Sequence, residues 1–250
     1  MNVSPTVILL AGGFGTRISE ESETRPKPMV FIQGKPILWH LMKIYSLQGY
    51  SRFIIATGYK HEVIDEWVDN KNQTNSWEFH CDVETIFTGI NTQTGGRVRQ
   101  VLEIDGGKQF MLTYGDGLAN VPLRNLENFH NSHGKVATVT SVRPPARFGH
   151  IESNNGLVTR FGEKSLDDVS WINGGFFILN SNILDYLHGD DIPFEQGPMN
   201  QLVREGQLMT YRHHGFWQAM DNLHEKRILE ELSKLPNPPW LEIPTEQGRF

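Results

Sequence analysis

The sequence predicts an α/β protein: a Rossmann-like, mostly parallel sheet flanked by helices, followed by a smaller lobe. Three observations predict it. Aliphatic runs at Thr6–Ala11, Phe53–Thr57 and Phe110–Tyr114 are too short for helices and show no polar alternation, the pattern of strands buried on both faces. Each run stops at a glycine, Gly12, Gly58 or Gly115. Segments of helical period lie between them, which is the order of strand–helix–strand units.

The elements follow in order. Gly12-Gly-Phe-Gly-Thr-Arg17 is a loop after the first strand. Pro26 and Pro28 exclude a helix interior up to Met29. Pro36 opens a helix that turns Ile37, Leu41, Ile44 and Tyr45 to one face and ends at Gly49. Val63, Ile64, Trp67 and Val68 share one face of a second helix. Polar Asn70–Ser76 reads as a loop and Phe79–Phe87 as a strand. Thr94-Gly-Gly-Arg97 reads as a loop leading into a short helix through Val98, Val101 and Leu102. Leu126 and Phe129 mark a helix over Leu123–His133, and Val136–Val142 reads as a strand. After Pro144-Pro145 the segments become short and alternating, around Ile151, Leu157-Val158 and Phe161, then Gly174–Leu179. Helices are expected at Asn182–Leu187, Pro198–Glu205 and Asn222–Ser233. The tail Leu235–Phe250, with Pro236, Pro238, Pro239 and Pro244, is expected to wrap the surface. One domain is expected over residues 1–250, in halves of about 1–143 and 144–234 and a tail over 235–250.

Composition excludes several classes. Hydrophobic residues are 38% and charged residues 21%, a globular mix rather than a disordered or fibrous one. A net charge of −6 argues against nucleic acid as partner, which needs a concentrated basic face. No apolar run approaches the ~20 residues of a membrane span. The first apolar run lacks a basic leader and stops at two glycines, so it is not a signal peptide. Cys81 is the single cysteine, so no intramolecular disulfide forms, and a cytoplasmic location is expected.

Leu10, Ala11, Gly12, Gly13, Gly15, Thr16 and Arg17 form the most informative segment. Its three glycines let the backbone approach a ligand and present several N–H groups, a nest suited to phosphate oxygens. Arg17 can pair with phosphate in a bidentate way. Lys27, held between two prolines, suits a fixed target. A tight structural turn is the alternative. A dinucleotide fingerprint needs a third glycine where Ile18 stands and an acid near Gly58-Tyr-Lys60. The Gly-Lys-Ser/Thr ending of a nucleoside-triphosphatase loop is absent.

Asp116 lies between Gly115 and Gly117 at the carboxyl end of an apolar strand, where it can hold Mg2+ on a triphosphate or simply shape a turn. Asp221 precedes a helix and suits an N-cap. The histidines, His130 with His133 and His213 with His214, complete no zinc set. Cys81 reads as a small buried residue.

Leu9-Leu-Ala-Gly-Gly-Phe-Gly-Thr-Arg17 with Pro26-Lys-Pro-Met29 resembles the sugar-1-phosphate nucleotidyltransferases. The resemblance runs from about Val7 to about Leu232. Gly34–Ser46, Thr94-Gly-Gly-Arg97, Thr113-Tyr-Gly-Asp-Gly117, Arg147-Phe-Gly149, Trp171–Phe177 and Gly215–Asp221 are similar to the cytidylyl branch, whose members join CTP and glucose 1-phosphate. It implies the nucleotide-diphospho-sugar transferase fold with a sugar-binding lobe, magnesium as cofactor and a homo-oligomer. It implies that Asp116 and Asp221 together hold Mg2+, and that Arg17, Lys27, Asp116 and Lys164 are catalytic. Thr94, Gly95, Gly96, Tyr114 and Gly115 join the nucleotide site. Gly149, Glu163, Lys164, Asn173, Gly174, Gly175 and Trp217 take the sugar phosphate. Two departures are visible. Ser165 stands where the family has proline, and the region from Lys60 to Thr94 is roughly a dozen residues short. Another nucleotide, another phosphorylated acceptor, or a sensor without catalysis are the rival readings.

Overall fold

A computed structural model of the chain describes residues 4–15, 25–144, 149–163 and 170–243. Strand β1 (Thr6–Ala11) has the limits its apolar run predicts, and Val7, Ile8 and Leu9 are fully buried. A 3-10 turn, Lys27–Met29, and two short strands, β2 (Phe31–Ile32) and β3 (Lys35–Pro36), lead to α1 (Ile37–Leu47). Then come β4 (Arg52–Thr57), α2 (His61–Gln73), β5 (Asp82–Phe87) and α3 (Thr94–Asp105). After these follow β6 (Gln109–Tyr114), β7 (Gly117–Ala119), α4 (Leu123–His133) and β8 (Ala137–Val142). The second half holds the hairpin β9 (Gly149–Asn154) and β10 (Leu157–Glu163), then β11 (Ile172–Asn180) and the 3-10 helix Ser181–Tyr186. It closes with α5 (Gly197–Arg204), β12 (Leu208–Arg212), β13 (Trp217–Ala219), α6 (Leu223–Ser233) and a 3-10 turn, Pro239–Leu241.

The main sheet has seven strands in the order β12-β8-β11-β6-β1-β4-β5. The pairs β1–β4, β1–β6, β4–β5 and β12–β8 are parallel, and β11 runs antiparallel to both its neighbours. One apolar layer packs α1 against one face of the sheet through Leu41, Ile44 and Tyr45. The other layer packs α3 against the opposite face through Val98, Val101 and Leu102. This is the mostly parallel, helix-flanked sheet that the apolar runs predict.

Several local expectations are corrected. Thr94-Gly-Gly-Arg97 is the first turn of α3, not a loop before it. Helix α2 continues through Gln73, so Asn70–Gln73 is helical, with Asn72 donating from its side chain to the Val83 carbonyl at 3.0 Å. Strand β5 starts at Asp82 rather than Phe79, whose ring packs tilted against Trp39 and Trp77. Ser181–Tyr186 is a 3-10 helix. The tail does not merely wrap the surface: Trp240 is fully buried, with its ring against His40 and Phe216. Cys81 is only partly buried, and burial pushes its thiol up to about 11. Among the described residues no helix is long and apolar enough to cross a membrane.

Candidate functional site

A cleft of about 430 Å³ opens at the carboxyl ends of β1 and β6, where ligands bind in parallel sheets. Its wall includes the predicted Leu10, Ala11, Gly12, Gly13, Gly15, Lys27, Thr94, Tyr114, Gly115, Asp116 and Asp221. Residues scattered over most of the chain thus meet in one space.

The floor of the cleft is a cation between two carboxylates. Lys27 Nζ lies 2.7 Å from Asp116 Oδ2 and 2.7 Å from Asp221 Oδ1. Two short strands make this meeting possible. β7 pairs antiparallel with β13, placing Gly117 opposite Ala219, and the Met220 N–H donates to the Asp116 carbonyl at 2.8 Å. Asp116 just before β7 and Asp221 just after β13 therefore converge. Asn222, not Asp221, caps α6: its side chain accepts from the Glu225 N–H at 3.0 Å. Glu225 in turn accepts from the Asp221 N–H at 2.6 Å, which fixes the residue while its carboxylate turns to the cleft. Lys27 is 9% exposed. Burial opposes its charge, but Asp116 and Asp221 outweigh burial and hold its pKa above the ordinary lysine value.

The donor set fits a magnesium ion. Two carboxylates aim oxygens at one cation-sized point, and the Lys27 ammonium marks that point. Among the described residues no group of three His, Cys, Asp or Glu side chains could enclose a metal. An ion here would draw its remaining ligands from phosphate and water, which is how Mg2+ is normally held.

A second chain of contacts crosses the cleft, and its centre is Glu195. Thr94 Oγ1 donates to Glu195 Oε2 at 2.9 Å and accepts the Phe194 N–H at 2.8 Å. Tyr114 OH donates to Glu195 Oε1 at 2.6 Å and accepts from Asn173 Nδ2 at 3.1 Å. Burial and the Glu195 carboxylate both raise the Tyr114 pKa, so the phenol stays protonated. Glu195 joins Thr94 and Tyr114 of the cleft wall to Asn173 on β11. Sequence reasoning missed it, because Pro193-Phe-Glu-Gln-Gly197 reads only as a loop.

The remaining candidates are placed unevenly. Gly95 and Gly96 lie off the cleft wall: a Cβ on Gly95 would sit 2.5 Å from the Ile192 carbonyl, and one on Gly96 2.6 Å from the Asp190 Cα. They seat α3 against the 190–192 backbone. Trp217 Nε1 donates to the Gly174 carbonyl at 2.9 Å, and the Gly175 N–H donates to Asn173 Oδ1 at 2.8 Å, so these four residues form one corner. Gly149 and Glu163 are paired across the β9–β10 hairpin. Thr16, Arg17 and Lys164 lie outside the described residues, as do Arg147 and Ser165.

A family model described as nucleotidyl transferase matches residues 6–218. The glucose-1-phosphate cytidylyltransferases of Salmonella typhimurium and Salmonella typhi are each 43% identical over 250 residues, covering 93% of this chain and 97% of theirs. The crystal structure of HddC from Yersinia pseudotuberculosis superposes with a TM-score of 0.70 at 25% identity, covering 92% of this chain and all of that one.

Proposed function

Because the chain belongs to the nucleotidyl transferase family, we propose that it joins CTP and α-D-glucose 1-phosphate to give CDP-glucose and pyrophosphate. The observation that carries this reading is the Lys27 ammonium held between Asp116 and Asp221 beside the glycine loop. That floor is built for a polyphosphate and its counter-cation.

An oxygen of the sugar phosphate attacks the α-phosphorus of CTP in line. The new O–P bond forms as the α–β bridging P–O bond breaks, and pyrophosphate leaves with the electron pair. The attacking oxygen is already anionic, so no general base is required. Catalysis is positioning and charge neutralisation. Backbone N–H groups over Leu10–Gly15, with Thr16 and Arg17, take the β- and γ-phosphates. Lys27 neutralises the α-phosphate. Asp116 and Asp221 would hold Mg2+, which when bound offsets charge on the phosphates. Lys164 steers the incoming phosphate, while Gly149, Glu163, Asn173, Gly174, Gly175 and Trp217 meet the sugar. Thr94 stands nearest the base. The unpaired Cys81 suits the reducing cytoplasm as the site of action. A homo-oligomer is the expected assembly, to be read by analytical ultracentrifugation.

The test is pyrophosphate release with magnesium and glucose 1-phosphate, scanning CTP, dTTP, UTP, GTP and ATP. Release with CTP alone is the expected result. Release with another nucleotide keeps the chemistry and overturns the base assignment. No release with any nucleotide, while CTP still binds, points to another acceptor or to a sensor.

A further inference from the structure

The two carboxylates of the cleft floor stand at one end of a very short ribbon. β7 and β13 pair over three residues each. The ladder gains one bond beyond either end. At the cleft end the Met220 N–H donates to the Asp116 carbonyl at 2.8 Å, and at the far end the Asn120 N–H donates to the Phe216 carbonyl at 3.1 Å. A two-stranded ribbon of this kind is marginal unless a face of it is packed. Its geometry therefore depends on what packs it.

Asn120 is the junction between the ribbon and the tail. Its Nδ2 donates to the Glu242 carbonyl at 2.9 Å. The Pro239–Leu241 turn just before Glu242 packs into the angle between β7 and α1, which also touch each other. The turn carries Trp240 into the apolar layer that holds Leu118, Ala119 and Met220, and all four are fully buried. The Trp240 ring meets His40 of α1 edge-on at 5.7 Å and Phe216, the residue before β13, at 5.9 Å. One side chain thus bridges a core helix and the ribbon. Position 215 has to be glycine for this junction: a Cβ there would sit 2.4 Å from Asn120 Oδ1 and 2.6 Å from His213 Cε1.

Trp240, Asn120 and Glu242 do not line the cleft. Asn120 is separated from Asp116 by four residues of extended chain, about 13 Å. Lys27, however, stands on a separate element, the Lys27–Met29 turn, and that turn also packs on α1. The helix is a common base: it carries the ammonium on one side and, through the tail, the ribbon with both carboxylates on the other. A shift of the ribbon against α1 would move Asp116 and Asp221 together relative to Lys27.

We propose that Trp240 is a positioning residue for the cleft floor: the tail turn pins the Asn120 end of the β7–β13 ribbon to α1, and so holds Asp116 and Asp221 in place across Lys27. Its effect on turnover rests on the nucleotidyl-transfer reading of the cleft.

The test compares Trp240→Ala, Trp240→Phe and Asn120→Ala with the wild type. Leu202→Ala, which truncates a buried side chain of α5 in the opposite apolar layer, controls for lost stability. Two readouts are taken on the full chain: amide hydrogen exchange without ligand, and steady-state pyrophosphate release with magnesium, CTP and glucose 1-phosphate. Trp240→Ala is expected to speed exchange at Asn120 and Met220 about 10-fold or more, by local opening of the ribbon. It is expected to lower kcat about 30-fold, because a misplacement of about 1 Å at reacting groups costs about 10²-fold. The KM for glucose 1-phosphate should move less than about 2-fold. Trp240→Phe and Asn120→Ala should show the same pattern at smaller size, and Leu202→Ala should leave both amides and kcat near wild type. If Trp240→Ala does not fold, Trp240→Phe and Asn120→Ala decide. Exchange at Asn120 and Met220 that rises no more in the tail variants than in Leu202→Ala overturns the role of Trp240, and so does an equal fall in kcat. Either result leaves the nucleotidyl-transfer reading standing. A wild type that releases no pyrophosphate overturns that reading instead, and the exchange pattern alone then decides whether the tail holds the ribbon.

Discussion

Two regions that meet where Asn173 donates to the Tyr114 hydroxyl are built differently. The glycine loop follows β1, which pairs with β6, where Ile8 and Leu112 are fully buried, and its backbone lines the cleft. The other region is the Asn173–Gly175 corner of β11, off the cleft wall, with the β9–β10 hairpin, a separate two-stranded sheet with Leu157 73% exposed and Val158 51% exposed. Under the proposed reaction the difference has a chemical reading. Phosphates are the same in every nucleoside triphosphate and can be held by fixed backbone dipoles in the densest part of the fold. The acceptor varies, and the residues proposed to meet it lie in the region that can change without disturbing the core.

The largest break in that comparison is at the floor of the cleft. Asp116→Asn is expected to lower turnover about 10³-fold, because a neutral amide no longer helps hold a cation at the reacting phosphate. Asp221→Asn should act alike. Steady-state turnover with circular dichroism as a fold control checks it. A loss below about 10-fold would remove the carboxylate pair from the chemistry.

The pH dependence of stability sharpens the contrast on the glycine-loop side. His40 on α1 is 5% exposed, donates from Nε2 to the Ile32 carbonyl at 3.1 Å and packs edge-on against Trp240. Burial pulls its pKa from 6.5 down to about 4. Above pH 6.5 the ring is neutral in both folded and unfolded chains, so its effect on stability is constant. As the pH falls from 6.5 toward 4, the unfolded chain binds a proton that the folded chain refuses. Stability then drops by about 1.4 kcal/mol per pH unit, about 3 kcal/mol in all. His130 and His133, also lowered by burial, act in the same direction. Urea unfolding of wild type and His40→Gln between pH 7 and pH 4 isolates the His40 share, and parallel slopes would show that it has none.

A smaller effect tests the proposed acceptor role of the β11 corner directly. Asn173 joins Tyr114 and the Gly175 N–H, so Asn173→Ala is expected to raise the KM for glucose 1-phosphate about 10-fold. The KM for CTP should move less than about 2-fold. A larger change for CTP would mean that the Thr94–Glu195–Tyr114–Asn173 chain serves the nucleotide instead.

How far the sequence was legible follows the same division. β1 and α4 have the predicted limits because a continuous apolar run and a helical period are local signals. β7 and β13 are three residues each and exist only through pairing with each other, so no local pattern marks them. Asp116 and Asp221 were readable as candidates, but their meeting at Lys27 depends on that pairing. Arg97 ends a segment that reads as a loop, and its burial depends on distant Gly12 and Gly58. Trp240 was hidden by its prolines, which exclude a helix interior but not insertion into a core. Glu195 carries no local mark at all, since two distant hydroxyls give it its place.

The smallest expected effect is the sharpest check on the second region. Leu157 and Val158 lie in a hairpin held by its own ladder, which shifts register between Val158 and Arg160. Their exposed side chains bury little apolar surface, so Leu157→Ser with Val158→Thr should change unfolding free energy by less than about 0.5 kcal/mol. Turnover should stay near wild type, because neither side chain is on the cleft wall. Urea unfolding at low and high protein concentration makes the result decisive. A loss above about 1 kcal/mol that grows with concentration would mean that another copy covers the hairpin in solution. The hairpin would then be finished by assembly rather than by the single chain.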